Sequence, residues 1–121
     1  MKIIGVKAEN RTGDDSDFVT FDLSEINFIE LWRPTKSAEK VPMFHTNSGN
    51  YLFIVTLEGL YKALKDYGFT QLDSVNVVNL NNVSYVEESK FFIRACFENG
   101  SSTSISKANL FKVENKPKRT I

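Results

Sequence analysis

The chain has 121 residues, 41% of them apolar and 25% charged, the size and balance of one small globular domain able to bury about two-thirds of its unfolded surface. Fifteen basic residues offset fifteen acidic ones, so the chain lacks the overall basic character that marks most nucleic-acid binders. The single cysteine, Cys96, excludes an internal disulfide, and no stretch approaches the ~18 apolar residues of a membrane-spanning helix.

Residues 1–8 hold two lysines within a strand-like pattern and do not read as a targeting leader, so a cytoplasmic, membrane-free protein is expected. Residues 2–8 predict a strand and 9–17 a polar loop. Two further strands, 18–23 and 26–32, flank a turn at Ser24-Glu25. A polar loop, 33–39, leads to strands at 40–46 and 51–55 around Asn47-Ser48-Gly49-Asn50. Pro42 predicts that the first of these lies at a sheet edge, because proline cannot donate to a ladder.

The one helix is expected at 57–67. Thr56 is a good N-cap, Glu58 suits the positive N-terminal end, and Gly68 stops the helix. Leu57, Leu60, Tyr61, Leu64 and Tyr67 make an apolar stripe that must cover a sheet. Glu58, Lys62, Lys65 and Asp66 fall on the outer face and read as solvated surface.

Strand character returns at Val75, Val77 and Val78, with asparagines 76, 79, 81 and 82 supplying turn-compatible side chains. Residues 83–86 resume a strand before the polar loop 87–90. Phe91, Ile93, Ala95 and Phe97 then alternate with Phe92, Arg94, Cys96 and Glu98, the period of a half-buried strand. Asn99-Gly100 predicts a two-residue type I′ hairpin turn, with 101–106 folding back. The domain is placed at 1–114, and 115–121 is expected to be a loose basic tail.

No catalytic set emerges. One histidine and one cysteine without ligand spacing make no metal site. His45, on a strand, reads as structural or half-exposed, and Cys96 as a quiet half-buried thiol. Glycine-rich phosphate loops and nucleophile elbows are absent from the sequence. A binding protein without cofactor, metal or enzyme activity is expected, its choice residues carried on loops.

The order of motifs resembles the LytTR family of bacterial DNA-binding regulators. The matching residues are Phe69, Val78-Asn79, Val83-Tyr85-Val86 and Ile105-Ser106-Lys107, preceded by the strand Asp22 to Glu30 and the helix Thr56 to Tyr67. The likeness covers roughly residues 17–113. It implies a mainly β fold of small antiparallel sheets packed together with one amphipathic helix, and binding by loops laid into successive major grooves. It also implies dimerisation on repeated half-sites; the family's usual N-terminal receiver has no room in this chain, so a domain standing without it, or a fragment, is expected.

Three loops carry the implied contacts with double-stranded DNA. The first, 32–40, offers Arg33, Lys36 and Lys40, of which arginine is the better bidentate reader of guanine. At the second, where the family often has histidine with arginine or asparagine, this chain has Asp73-Ser74, and Gln71 stands where an arginine is common. Ser74 can donate to a phosphate; Asp73 either caps the turn before Val75 or accepts from a cytosine amino group. At the third, Lys107 is a phosphate contact, and Asn109 either reads adenine or caps a terminal turn. Asn79 reads as structural, holding a corner.

Charge distribution keeps DNA binding open. Residues 1–30 hold three basic and seven acidic side chains, whereas 107–121 hold five basic and one acidic, so a neutral chain can still present a positive face, with modest and salt-dependent affinity. Two functions follow: a sequence-specific DNA-binding transcription regulator, or a LytTR-like protein-interaction module that has weakened or lost DNA contact and modulates another regulator.

Overall fold

The computed structural model describes residues 2–33, 35–53, 61 and 64–121. Seven strands, β1 (Lys2–Lys7), β2 (Phe18–Asp22), β3 (Ile26–Trp32), β4 (Val41–Thr46), β5 (Gly49–Leu52), β6 (Phe69–Thr70) and β7 (Asn76–Asn79), make an antiparallel sheet in the order β2-β1-β5-β4-β3-β7-β6. A second sheet, in the order β10-β9-β8-β11, holds β8 (Tyr85–Glu88), β9 (Ile93–Cys96), β10 (Ser102–Ser104) and β11 (Lys118–Thr120).

The run 26–32 is nearly continuous in apolar residues because β3 lies inside the first sheet and is covered on both faces. Ile29 and Val77 enter a cluster with Phe21, Phe44, Tyr51, Phe69 and Leu64. Phe28 and Val78 enter the other, against Val86, Ala95, Phe97, Ile105 and Val113 from the second sheet and the segment after it. Each such side chain contributes roughly 1.5–3 kcal/mol by leaving water. Pairing between β3 and β4 steps from Ile26↔Thr46 to Phe28↔His45, and the extra residue, Asn27, lets Ile26 share a cluster with Ile29.

Most of the helix expected at 57–67 falls outside the described residues. Within it Tyr61 and Leu64 are helical, Leu64 is buried in the first cluster and Tyr61 packs against it. Lys65–Tyr67 tighten into a 3-10 turn and Gly68 closes it at φ +89°, a left-handed conformation that suits glycine. Tyr67 leaves the expected apolar stripe and is half exposed.

Several expectations are corrected. Pro42 does not mark an edge, since β4 pairs with both β3 and β5. It is tolerated because it stands at the second residue of β4, one step beyond the Met43↔Leu52 pair where the ladder with β5 starts. Phe91 does not face the core but is 88% exposed, because β9 begins only at Ile93. Glu87 and Glu88 belong to β8 rather than to a loop. At Asn99-Gly100 only the glycine has positive φ, +87°. Its N–H donates to Phe97 O at 3.0 Å, so the hairpin is the three-residue kind that ends in a left-handed glycine.

The tail at 115–121 is not loose. β11 runs parallel to β8, pairing Lys118↔Val86 to Thr120↔Glu88. Val86 N donates to Pro117 O at 2.7 Å and Ile121 N to Glu88 O at 2.9 Å. The Arg119 guanidinium lies 3.8 Å from the Tyr85 ring centroid, a cation–π contact that anchors an otherwise exposed strand.

Candidate nucleic-acid interface

Topology brings the three loops to one end of the sheets. Glu30 near the end of β3 pairs with Asn76 at the start of β7, which sets the loop after Trp32 beside the turn 71–75. Ser104, the last residue of β10, donates through Oγ to Asp73 Oδ2 at 2.6 Å, which brings the segment from Ser106 onward to the same place.

The second and third loops are fastened into one unit. Ser106 N donates to Leu72 O at 2.8 Å, Asn109 Nδ2 reaches the same carbonyl at 3.3 Å, and Lys112 Nζ donates to Gln71 O at 3.1 Å. Asn76, fully buried, is the centre of the fastening. Its Oδ1 accepts from Leu72 N at 3.1 Å and Asp73 N at 2.9 Å. Its Nδ2 donates to Thr103 Oγ1 and Ser104 O, both at 2.8 Å, and Thr103 Oγ1 donates in turn to Glu30 Oε1. A buried network of this kind, with its members satisfied, rigidifies what it holds.

Against that frame each expected contact residue has a place. Arg33, Lys36 and Lys40 are exposed on the first loop, and Arg33 Nη1 donates to Lys36 O at 3.1 Å. Ser74 is exposed, with its N–H on Asp73 Oδ1 at 2.6 Å. Lys107 is exposed at the start of the 3-10 segment Lys107–Val113. Asn109 is half-buried and its amide is engaged by Ser106 Oγ at 2.9 Å as well as by Leu72 O, which makes it a fastener.

Asp73 is also engaged on both oxygens. The hydroxyl of Ser104, with further help from Ser74, holds its carboxyl below the ordinary carboxylate range. It therefore keeps its charge and, partly exposed, acts as a turn cap. Asn79 holds the corner it was expected to hold, accepting from Asn81 N at 3.2 Å and donating to Ile26 O at 3.0 Å.

Lys112 was missed. Nothing in its local sequence distinguishes it from the other basic residues near the C-terminus, and its partner is 41 positions away. It sets an ammonium against the Gln71 carbonyl, so a positive charge stands at the second loop from a different element.

His45 and Cys96 build no second site. The His45 ring stacks on Phe28 at 4.2 Å and 13°, its Nε2 is buried without a hydrogen-bond partner among the described residues, and burial pushes its pKa down to about 4. Burial likewise pushes the Cys96 thiol up. Among the described residues no group of three His, Cys, Asp or Glu could hold a metal ion, and no helix is long and apolar enough to cross a membrane.

The chain is thus a two-sheet β domain with the loop after Trp32, the turn 71–75 and the segment from Ser106 gathered at one end. The LytTr DNA-binding domain model matches residues 16–116, and the chain belongs to that family of DNA-binding regulatory domains. A solved structure is similar in fold, that of the LytTr DNA-binding domain of a protein described as a methyl-accepting/DNA response regulator from Bacillus cereus. It has 13% sequence identity and a TM-score of 0.69 over 94% of each chain. Comparison with curated proteins gives no match.

Proposed function

We propose that this protein is a sequence-specific transcription regulator of the cytoplasm that grips double-stranded DNA with the loops at 33–40, 71–75 and 106–112. The observation that carries this is the convergence of the loops, with Arg33, Lys36, Lys40 and Lys107 exposed on the same end as Ser74 and Lys112. The fastened second and third loops enter one major groove and the first loop the next. Lys36, Lys40, Lys107 and Lys112 neutralise phosphates, Ser74 donates to one, and Arg33 reads a base edge. Asn109 and Asp73 act by positioning. Two copies occupy repeated half-sites.

The alternative, an interaction module that modulates another regulator, is favoured by the zero net charge and by the presence of Asp73 at the face. Selection of duplexes from a random pool, followed by gel shift at low salt, separates the two. An enriched sequence whose binding weakens about tenfold in Arg33→Ala, with the preference relaxed at one base pair, supports DNA readout. Failure to retard any selected or upstream duplex at low salt would sink it in favour of the interaction module.

A further inference from the structure

The hairpin between β8 and β9 ends in an apex that no loop function has absorbed. Ser89 N donates to Phe92 O at 2.9 Å, closing a tight turn with Lys90 and Phe91 at its two central positions. The N–H groups of Phe91 and Phe92 both donate to Ser89 Oγ, at 3.1 and 3.2 Å, so the turn is held by its own side chain. Phe91 is the most exposed of the large apolar side chains among the described residues, at 88%, and Lys90 Nζ lies 5.9 Å from its ring centroid. Phe91 and its neighbour Phe92, 37% exposed, set two aromatic rings beside a lysine on a turn of fixed shape, an apolar and cationic surface on one apex.

Two hydrogen bonds place this apex beside the DNA loops. Ile93, two residues past Phe91, accepts from Ile105 N at 2.8 Å, and Ser106 N, the next donor along, reaches Leu72 O at 2.8 Å. The order across this end is thus hairpin tip, third loop, second loop. Among the described residues, Lys90 is the cation of the tip with no ion pair: Arg94 is ion-paired to Glu87 at 2.7 Å and its guanidinium covers Phe92 at 3.9 Å. Glu88 is half-buried at the base of the hairpin.

We propose that the Ser89–Phe92 tip is a fourth DNA-contacting element, in which Lys90 neutralises a phosphate and Phe91 packs on the adjoining deoxyribose. This rests on the DNA-binding function proposed above and adds a contact outside its three loops. Contacts to the sugar–phosphate backbone carry no sequence information, so the tip tightens binding on every duplex alike. A positively charged, aromatic apex suits a polyanion with exposed sugar faces better than it suits another copy of a chain with zero net charge.

The test compares the parent protein with Lys90→Gln and Phe91→Ser on a duplex selected by the parent and on a scrambled duplex, across a salt series. Both variants keep the parent's melting temperature, since Phe91 is exposed and Lys90 lies on the surface. Lys90→Gln lowers the slope of log affinity against log salt by about 0.9. Phe91→Ser weakens binding on the order of tenfold with the slope unchanged, equally on both duplexes. Variants that match the parent in affinity and slope while the parent binds DNA would overturn the tip and leave the three-loop function standing. A parent that binds neither duplex overturns both. Variants that bind a single half-site like the parent but lose cooperativity on paired half-sites would assign the tip to contact between copies and contradict the proposal.

Discussion

Asn76 shows how much of this interface hangs on one side chain. It satisfies two backbone donors of the second loop and links them through Thr103 to Glu30. Asn76→Ala leaves buried polar groups unpaired, and a loss of about 2–4 kcal/mol in urea unfolding is expected; a loss under about 0.5 kcal/mol would contradict the network. His45 sets the acid response. Its folded pKa of about 4 lies below the ordinary value of 6.5, so the unfolded chain binds the extra proton between those two pH values. Stability is therefore unaffected by this group above pH 6.5, falls as pH drops from about 6.5 to about 4, and levels off below. His45→Gln should flatten that window in pH-dependent melting, whereas an unchanged profile would remove His45 as the cause. The exposed cations Arg33, Lys36, Lys40 and Lys107 were visible in the sequence because loop composition reports exposure. The local capping by Asp73 and Asn109 was legible as one of two readings for each, whereas the bonds Asp73–Ser104, Asn109–Leu72 and Lys112–Gln71 were not, because those partners lie 31 to 41 positions away.

Strands with apolar residues on both faces were the most legible elements. β3 is observed at Ile26–Trp32, the same span its sequence predicts, since burial on both sides leaves little choice of residue. β11 was invisible for the opposite reason: Lys118, Arg119 and Thr120 are all exposed, so no periodicity announces a strand that is held by backbone bonds and one cation–π contact. Pro42 misled because a ladder's end inside a sheet looks, from sequence, like an edge. The C-terminal strand gives an element-scale expectation. Truncation before Pro117 removes the bonds to β8 and the Arg119–Tyr85 contact, and should lower stability by about 1–2 kcal/mol in denaturant titration. A truncated chain as stable as the parent would mean that β11 adds nothing to the fold in solution.

For the whole molecule, zero net charge and DNA binding are compatible because a duplex meets the exposed cations of the loops locally, within the screening length of salt. The acidic side chains of residues 1–30 include Asp14, Asp17 and Asp22, whose carboxyls are held low chiefly by local hydroxyl and backbone donors. The basic side chains of the loops face outward at one end. Such a molecule is attracted to DNA at short range and little at long range, so salt is a sensitive probe of it. The most direct test is the salt dependence of binding to a duplex selected by the protein itself. With a handful of phosphates neutralised, log affinity should fall against log salt with a slope of about −3 to −5. Combined neutralisation of Lys107 and Lys112 should reduce that slope by about 2. A slope near zero, or one that the double variant leaves unchanged, would contradict the assignment of this end of the domain to DNA.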